Sequence, residues 1–454
     1  MSVLETILEK RFFAPWRTGE TGDPASLWAD TNLELFVTAD CNQKCEYCYL
    51  VKNEALFPKG LRQPEAIKQN LRIFLDWCVK QGFSFHQVDL FSGEIWHGPF
   101  GWAVLDILLE YIRAGLRVET VMIPTNGSFV LNDRAVQEMA NRIEDFGNAG
   151  CRLQLSGSID GGMSDGVTRK GNDAELTEEK SGADFYDRFF SFWKRFGFLF
   201  HPMVSQENVA NWKENFLWWE EQCARYGYDA FRDVMMLEVR NDGWTKADIA
   251  GYLRFLDFLI DRFLENRCGG SVEKLADRLF LTDIFGGGLG GYVNFAMPPA
   301  DGFQGCTVSD MLTVRLGDLA IPPCHRTAYD QLLYGRFRVE NGEIVGIEEN
   351  NPQMASRVLL QDSILCSPGC DCCPYNYFCL RGCYGSQQEA ENDPFMPIES
   401  VCKLFRAKTD FLIDKYETLG LWDVLRGVSR ANIRYEDIRR TLQEVERIKE
   451  ARTA

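Results

Sequence analysis

The sequence predicts an α/β protein built on a barrel of parallel strands and followed by a cysteine-rich region. Between about Leu33 and Asp242, short apolar runs of β type alternate with amphipathic stretches of helical period. This alternation is typical of right-handed βαβ units that build a parallel sheet. Nine of the 16 cysteines lie between residues 300 and 402 among many turn residues, which indicates a second, metal-organised domain.

Six β-type runs alternate with the helical stretches, a number that suits a partial or complete barrel of the TIM type, and a partial (β/α)6 barrel is the prediction. In this fold the loops after the carboxyl ends of the strands carry the chemistry. The runs are LELFVT (Leu33–Thr38), FHQVDLF (Phe85–Phe91), VETVMIP (Val118–Pro124), RLQLSGSI (Arg152–Ile159), FLFHPMV (Phe198–Val204) and VMMLEV (Val234–Val239).

Composition shifts divide the chain into five predicted segments, and the length favours two or three domains with a large core. The segments are an N-terminal lead-in (1–30), the partial barrel (31–245), a connecting helix with a Gly-rich loop (246–299), the cysteine-rich domain (300–402) and a helical tail (403–454).

The net charge of −17 argues against binding to nucleic acid or to an anionic membrane surface. The N-terminal segment carries charges throughout, so no secretory signal is expected, and no apolar run is long enough for a membrane span. A cytoplasmic location is therefore expected, in which clustered cysteines bind metal more often than they form disulfides.

Three cysteines form a C-x3-C-x2-C loop directly after the first predicted strand, in the segment FVTADCNQKCEYCYL. If Cys41, Cys45 and Cys48 bind a cubane [4Fe–4S] cluster, one iron lacks a protein ligand, because such a cluster normally takes four cysteines. An open coordination position is where a metal site does chemistry. A zinc knuckle or incidental thiols are the alternatives, although only four histidines favour thiolate-rich iron–sulfur sites.

This spacing, with Tyr47 just before the last cysteine, resembles the radical SAM superfamily. In that family the open iron chelates S-adenosylmethionine (SAM), and an electron from the cluster cleaves SAM to methionine and a 5′-deoxyadenosyl radical. The radical then abstracts a hydrogen atom from the substrate, while the protein positions and shields the cofactor.

Further motifs at the predicted strand ends support the resemblance. Ser92-Gly93-Glu94 resembles the GGE-type motif that holds the SAM ammonium, with Ser replacing the first Gly and Ile95 replacing the usual Pro. Thr125-Asn126-Gly127 resembles the frequent TNG, and Ser158-Ile159-Asp160-Gly161 with Arg169 resembles an S-x-D-G…R stretch that contacts the SAM ribose and carboxylate. Each motif alone is also compatible with an ordinary strand-end turn. The resemblance implies SAM contacts from Tyr47, Ser92, Gly93, Glu94, Asn126, Ser158 and Arg169.

The second cysteine field resembles the SPASM domain, whose seven cysteines are all present, although six residues rather than four separate Gly317 from Cys324. The resemblance implies two auxiliary clusters, and hence three [4Fe–4S] clusters per chain. It assigns Cys306, Cys324 and Cys383 to the first, and Cys370, Cys373, Cys379 and Cys402 to the second. The fourth ligand of the first cluster is Cys366, Cys372 or none. Two zinc sites are the alternative, because spacing alone does not name the metal.

Four other cysteines, Cys78, Cys151, Cys223 and Cys268, are isolated within helix or strand patterns. Buried cysteine commonly serves as a small hydrophobe, so these four are predicted to lie in the core.

SPASM enzymes mostly modify peptides or proteins, which predicts hydrogen abstraction leading to a crosslink, thioether, epimerisation or oxidation. Cys324-His325-Arg326, with Gly335 downstream, resembles the CHR…G stretch of maturases that install thioether bridges in ribosomal peptides. Sulfatase maturases usually have a catalytic Asp after that cysteine, so formylglycine formation is disfavoured here. His325 is a candidate catalytic base, but an orienting role beside the cluster thiolate is favoured.

The resemblance also predicts partners: a peptide or protein substrate and a flavodoxin- or ferredoxin-type electron donor. The segment before the first strand is too short for a fused leader-binding module, so a separate recognition protein or a leaderless substrate is expected. Three alternatives remain open, namely a radical SAM dehydrogenase of a small molecule, a non-catalytic iron–sulfur electron-transfer protein and a zinc-dependent binding module.

Overall fold

The computed structural model describes residues 2–18, 32–57, 63–98, 100–278, 308, 311–360, 369–370, 372–379, 382–431 and 435–453. The chain forms two compact units. The first comprises residues 1–158, 166–199 and 307–361, and the second comprises residues 159–165, 200–306 and 362–454. The predicted cysteine-rich segment 300–402 is thus divided between the two units.

Thirteen strands lie in the described residues: β1 Asn32–Thr38, β2 Gln43–Cys45, β3 Ser84–Ser92, β4 Arg117–Thr125, β5 Arg152–Gly157, β6 Arg169–Gly171, β7 Leu199–Phe200, β8 Met203–Val204, β9 Leu237–Glu238, β10 Met311–Arg315, β11 Ala320–Ile321, β12 Gly335–Glu340 and β13 Glu343–Glu349.

The α-helices of the same residues are α1 Val3–Leu8, α2 Ala14–Thr18, α3 Tyr49–Lys52, α4 Pro64–Gln81, α5 Phe100–Arg113, α6 Asp133–Asn148, α7 Ala174–Ser181, α8 Ala183–Phe196, α9 Trp212–Tyr226, α10 Ala230–Asp233, α11 Lys246–Cys268, α12 Val272–Ala276, α13 Pro352–Leu359, α14 Tyr384–Glu391, α15 Glu399–Thr418, α16 Leu421–Arg426 and α17 Tyr435–Thr453. None of them is both long and apolar enough to cross a membrane.

A large sheet organises the first unit, with strand order β13-β12-β11-β10-β1-β3-β4-β5 and β7 at the far end. The central strands β10, β1, β3, β4 and β5 are all parallel, whereas β11, β12 and β13 are antiparallel. Parallel strands need their faces covered, and β1 is accordingly buried along its whole length. The first four predicted strands are confirmed. The parallel partner β10 was not predicted, because it lies in the cysteine-rich segment.

The fifth and sixth predicted strands are shorter than their apolar runs indicated. The run Phe198–Val204 contains only β7 and β8, separated by His201 and Pro202, and proline lacks the amide hydrogen that a strand interior needs. The run Val234–Val239 contains only β9 and an isolated bridge at Val234. The prediction of two full strands there was therefore wrong, because an apolar run does not show which backbone groups pair.

Helices cover the sheet of the first unit along apolar stripes. Helix α4 begins with Pro64 at its first turn and ends at Gly82, whose φ of 70° suits a residue without a side chain. Its buried residues Ile67, Leu71, Phe74, Leu75 and Cys78 recur every three or four positions, so one face of the helix packs inward. Cys78, Cys151, Cys223 and Cys268 are all buried, which confirms the prediction for the isolated cysteines.

A buried ion pair lies in the core of the second unit. The Lys408 ammonium lies 3.1 Å from the Glu238 carboxylate, which also accepts a hydrogen bond from the Tyr252 hydroxyl at 2.7 Å. Burial pushes the pKa of Glu238 upward, but the cations of Lys408 and Arg240 outweigh it, so the pKa is lowered. The pair therefore stays charged, and it joins α15 to α11 and β9.

Helix α8 packs closely against strand ends that carry glycine. We therefore expect alanine substitutions at Gly157 and Gly147 to change the free energy of unfolding in opposite directions. A Cβ on Gly157 would lie 2.7 Å from Cζ of Phe189 and 2.9 Å from Nε1 of Trp193, whereas a Cβ on Gly147 in α6 would meet nothing within 4 Å. We expect Gly157→Ala to lower the free energy of unfolding by about 1–3 kcal/mol through overpacking. The control Gly147→Ala is expected to raise it by about 0.5–1 kcal/mol. Urea unfolding of both variants measures this, and equal effects would contradict the packing.

Candidate active site

The three loop cysteines follow β1 on a tightly folded segment. Cys45 ends β2, which pairs with β6 and places Cys45 opposite Arg169. The backbone N–H of Cys48 donates to the Cys45 carbonyl at 3.0 Å, and Cys48 itself immediately precedes α3. The conformation of the cysteine loop (residues 41–48) is thus stabilised by a hydrogen bond within the loop and by strand pairing with β6.

The thiols of this loop lie close enough to influence one another. Burial raises the pKa of the Cys41 thiol well above its ordinary value, and the charges of Glu94, Cys45 and Cys48 raise it further. Burial likewise raises the pKa of Cys48, although the backbone N–H groups of Val51 and Leu50 oppose it. Bare thiolates are therefore unfavourable here, and a bound cation would stabilise them because metal coordination deprotonates a thiol.

The residues of the cysteine loop are compatible with an iron–sulfur cluster, which takes thiolate ligands. Within the described part of the chain, no three or more His, Cys, Asp and Glu side chains are gathered so as to hold one metal ion. Three thiols on one loop, with backbone N–H groups directed at Cys41 and Cys48, are the donor set that clusters use. The ligation of a cluster by Cys41, Cys45 and Cys48 stays a prediction.

Glu94 is a fully buried carboxylate beside the cysteine loop. One carboxylate oxygen accepts the Thr125 hydroxyl at 2.9 Å and the other accepts the Asn126 N–H at 2.7 Å. Burial raises the pKa of Glu94, and these donors together with the charge of Lys180 act against the rise. A carboxylate held this way can accept a further donor, because each oxygen has two lone pairs.

Gly93 lets the Glu94 segment lie directly on the cysteine loop. The Gly93 N–H donates to the Thr38 carbonyl at 2.9 Å and the Glu94 N–H donates to the Asp40 carbonyl at 2.8 Å. A Cβ on Gly93 would lie 2.3 Å from the Asp40 oxygen, so only glycine fits without moving the backbone.

Asn126 connects the end of β4 to the cysteine loop. Its side-chain amide donates to the Asn42 carbonyl oxygen at 2.8 Å, and Asn42 in turn donates to the Ser128 hydroxyl at 2.8 Å. The amide nitrogen of Asn126 also lies 4.0 Å from Cys41 Sγ. The strand-end motifs therefore meet at one edge of the sheet, as parallel strands require.

Arg169 and Tyr47 form a buried pair beside Cys48. The Arg169 guanidinium donates to the Tyr47 hydroxyl at 2.7 Å, and its charge acts to lower the pKa of Cys48. Ser158 stands at the end of β5, where its N–H donates to the Thr125 carbonyl at 2.8 Å. Ser92 ends β3, and its backbone pairs with Thr38. Five of the predicted SAM contacts thus lie at or directly after the ends of β3, β4 and β5, whereas Arg169 begins β6 and Tyr47 follows β2.

Lys180 is a site residue that the sequence patterns did not predict. Its side chain is buried, its ammonium donates to the Asn126 carbonyl, and the ammonium nitrogen lies 4.0 Å from the centroid of the Phe185 ring. No sequence signal distinguishes it, because it lies in a polar run, AELTEEKS, that has the composition of an exposed helix.

His325 lies against Glu34, a fully buried carboxylate on β1. The His325 backbone N–H donates to one Glu34 oxygen at 2.6 Å, and ring Nδ1 lies 2.7 Å from the other. The ring stacks on Phe91 with centroids 3.9 Å apart and planes 3° apart. This arrangement orients the segment immediately after Cys324, and it leaves Nε2 as the ring nitrogen not bound to Glu34.

Asp89 is a second buried carboxyl group in register with Glu34 across β1 and β3. It accepts a hydrogen bond from the Gln87 side-chain amide at 2.7 Å. Burial, followed by the nearby charge of Glu34, raises the pKa of Asp89 to about 7. Two carboxyl groups this close do not ionise independently, so Asp89 holds its proton into the neutral range.

The predicted second auxiliary cluster draws its cysteines from the second unit. Cys370 and Cys373 share a turn, in which the Cys373 N–H donates to the Cys370 carbonyl at 3.1 Å. Burial raises the pKa of Cys402 on α15, and the charges of Cys370 and Cys373 raise it too, whereas Arg406 lowers it. These three thiols are therefore neighbours. Cys379 belongs to the same unit, and its place in the cluster stays a prediction.

The predicted first auxiliary cluster is described only in part. Cys324 belongs to the first unit, where its Sγ lies 3.5 Å from the Thr327 hydroxyl. Cys383 belongs to the second unit and immediately precedes α14. Cys306 and Cys366 lie outside the described residues, and Cys372 is exposed.

The raised pKa of Asp89 predicts how stability depends on pH. The folded carboxyl keeps its proton up to about pH 7, whereas the unfolded one releases it near 3.8. The folded state then binds more protons between these values, so wild-type stability falls as the pH rises through this window. We expect Asp89→Asn to match the wild type near pH 4 and to be more stable by roughly 1–4 kcal/mol at pH 8. Urea unfolding at both pH values measures this, and a gain of equal size at both would contradict it.

Comparison with solved structures identifies neighbours over most of the chain. The structure of hexahistidine-tagged anSMEcpe with bound AdoMet is 15% identical and has a TM-score of 0.53, covering 91% of this chain and 98% of that chain. Native anSMEcpe with AdoMet and the Cp18Cys peptide is 14% identical at a TM-score of 0.52, covering 86% and 99% of the two chains. These neighbours are an anaerobic sulfatase-maturating enzyme, a radical SAM enzyme with a SPASM domain.

No family model and no curated protein matches the chain at the sequence level, so the likeness rests on structure. At this identity a structural match shows the fold. The chain has the mixed α/β fold of a radical SAM enzyme, built on a large parallel sheet.

Proposed function

We propose that this protein is a radical SAM enzyme that cleaves SAM reductively and modifies a peptide or protein by hydrogen abstraction. The observation that carries the proposal is the meeting of the cysteine loop with Glu94 and Asn126 at one edge of the parallel sheet. Neither a zinc knuckle nor an electron carrier requires a buried carboxylate held beside three thiols.

Each site residue has a separate task in this proposal. Cys41, Cys45 and Cys48 hold three irons of a [4Fe–4S] cluster. The Glu94 carboxylate accepts the SAM ammonium, with Asn126 and Thr125 fixing its orientation. Tyr47 and Arg169, paired at 2.7 Å, hold the β6 side of the loop. When bound, the cluster and SAM supply one-electron cleavage of a carbon–sulfur bond and the resulting 5′-deoxyadenosyl radical.

A peptide or protein substrate is the second part of the proposal. The anSMEcpe structures contain the Cp18Cys and Kp18Cys peptides, and the seven cysteines of the SPASM pattern are present here. The proximity of Cys370, Cys373 and Cys402 supports the second auxiliary cluster. We propose three clusters, with reducing electrons from a flavodoxin- or ferredoxin-type donor. A separate leader-peptide recognition protein and a cytoplasmic location also remain predictions.

The test is anaerobic reconstitution with iron and sulfide, followed by dithionite and SAM. The proposal expects roughly twelve irons per chain and slow formation of 5′-deoxyadenosine, because three four-iron clusters are assigned. Abundant zinc would favour a binding module, and iron without SAM cleavage would favour an electron-transfer protein. Cleavage that a small alcohol or sugar accelerates, but peptides do not, would favour the small-molecule dehydrogenase.

The triple variant Cys41→Ala/Cys45→Ala/Cys48→Ala tests which cluster cleaves SAM. We expect it to lose about four irons per chain and all 5′-deoxyadenosine formation, because the open iron belongs to this cluster. Cys78→Ala is the control, since Cys78 lies in the core of the first unit on α4. Iron analysis and product chromatography give the result, and SAM cleavage by the triple variant would contradict the assignment.

His325→Asn separates the two roles considered for His325. Because Glu34 binds both the backbone and the ring of His325, we expect the orienting role to dominate. The variant should then lose part of the auxiliary-cluster iron while its rate of uncoupled SAM cleavage stays within about twofold of wild type. His86→Asn, an exposed histidine paired with Glu119, is the control. Full iron content with loss of substrate modification would instead assign the base role to His325.

A further inference from the structure

Helix α7 is polar on nearly all sides, and Lys180 is its single buried residue. The helix is tied to β6, since the Gly171 N–H donates to the Thr177 hydroxyl at 2.9 Å. It is capped by Asp173, whose side chain accepts the Leu176 N–H at 2.8 Å. An amphipathic helix normally packs through apolar side chains. Here the side chain placed against the core is a cation instead.

The Lys180 ammonium reaches the loop that holds Glu94. It donates to the carbonyl of Asn126, and the N–H of that same residue donates to Glu94. The face of the Phe185 ring covers the ammonium at 4.0 Å, which adds a cation–π contact. Lys180 and Glu94 are therefore linked by one intervening residue, Asn126, in the interior of the protein and away from solvent.

A buried carboxylate without a nearby cation tends to take up a proton, because desolvation disfavours its charged form. Among the described residues, the hydrogen-bond donors to Glu94 are the Thr125 hydroxyl and the backbone N–H groups of Asn126 and Trp96, all of them neutral. The charge of Lys180 acts on Glu94 in the direction that keeps it ionised. An ionised Glu94 attracts an ammonium group, whereas a protonated one offers only a neutral hydrogen bond.

We propose that Lys180 is a positioning residue for SAM: it is the buried counter-charge that keeps Glu94 ready to receive the SAM ammonium. The inference rests on the proposed function and adds a residue to it. It assigns no direct contact between Lys180 and SAM. The effect of Lys180 is therefore expected in SAM affinity, and not in the rate of the bound complex.

The test measures SAM affinity of the anaerobically reconstituted full-length enzyme by equilibrium binding. Lys180→Gln is the main variant, because glutamine can still donate a hydrogen bond to the Asn126 carbonyl but carries no charge. Lys180→Met removes the donor as well. The control is Lys194→Met, which removes an exposed lysine from the neighbouring helix α8. Iron content and the thermal midpoint are recorded for each protein, and a SAM analogue without the α-amino group serves as the second ligand.

We expect Lys180→Gln to raise the Kd for SAM about tenfold to a hundredfold, because it removes the buried positive charge that favours the ionised form of Glu94. The kcat at saturating SAM should stay within about twofold of wild type. The Kd for the deaminated analogue should be nearly unchanged. In a double-mutant cycle, Lys180→Gln should add little to Glu94→Gln, because both remove the same attraction.

Each contrary outcome overturns the inference. Wild-type affinity in Lys180→Gln would show that the charge of Lys180 does not contribute to SAM binding. An equal loss for SAM and for its deaminated analogue, or a parallel loss of iron, would show a structural role. Additive effects of Lys180→Gln and Glu94→Gln would separate the two residues. A wild-type enzyme that binds no SAM would instead contradict the proposed function, so the two failures are distinguishable.

Discussion

The candidate site depends on one interaction, the acceptance of hydrogen bonds from two neighbouring strand ends by the buried Glu94 carboxylate. The Thr125 hydroxyl and the Asn126 N–H bind its two oxygens, and the Glu94 backbone in turn binds Asp40, which directly precedes the cysteine loop. A buried carboxylate is costly unless it is satisfied, so this group fixes the relative positions of β1, β3 and β4 at their carboxyl ends. Lys180 adds a buried positive charge near this carboxylate, whose hydrogen-bond donors among the described residues are neutral.

The parallel sheet makes this interaction possible. Its strands present their carboxyl ends at one edge, so three short motifs that lie far apart in the sequence meet there. Gly93 permits the closest approach, because any side chain would collide with the Asp40 carbonyl. The same sheet brings β10 beside β1, which places His325 next to Glu34 and Phe91. The contacts of Glu34 with His325 thus form a second polar cluster, on the same sheet that carries the cluster around Glu94.

Much of this arrangement was predictable from local sequence signals. The strands β1, β3, β4 and β5 are long apolar runs bounded by turns, and their amphipathic partners have a clear helical period. The motifs around Cys41, Glu94 and Asn126 were identified by their resemblance to radical SAM motifs and by their position after predicted strands. The strands after Phe198 were predicted too long, because apolar character does not show which backbone groups pair. The role of β10 was missed, since its partner β1 precedes it by more than 270 residues.

The sequence by itself determined the chemical inventory: three thiols on one loop, an acidic residue after the second long strand, an amide after the third, and a cysteine field near the C-terminus. Each depends on residue type and short-range spacing, which the covalent chain fixes. Only the tertiary structure decided which charges face one another. Lys180 beside Glu94, Glu34 beside His325 and Asp89 beside Glu34 are long-range pairs. Their burial sets the electrostatics of the site, and burial depends on how the whole chain packs, which no local pattern encodes.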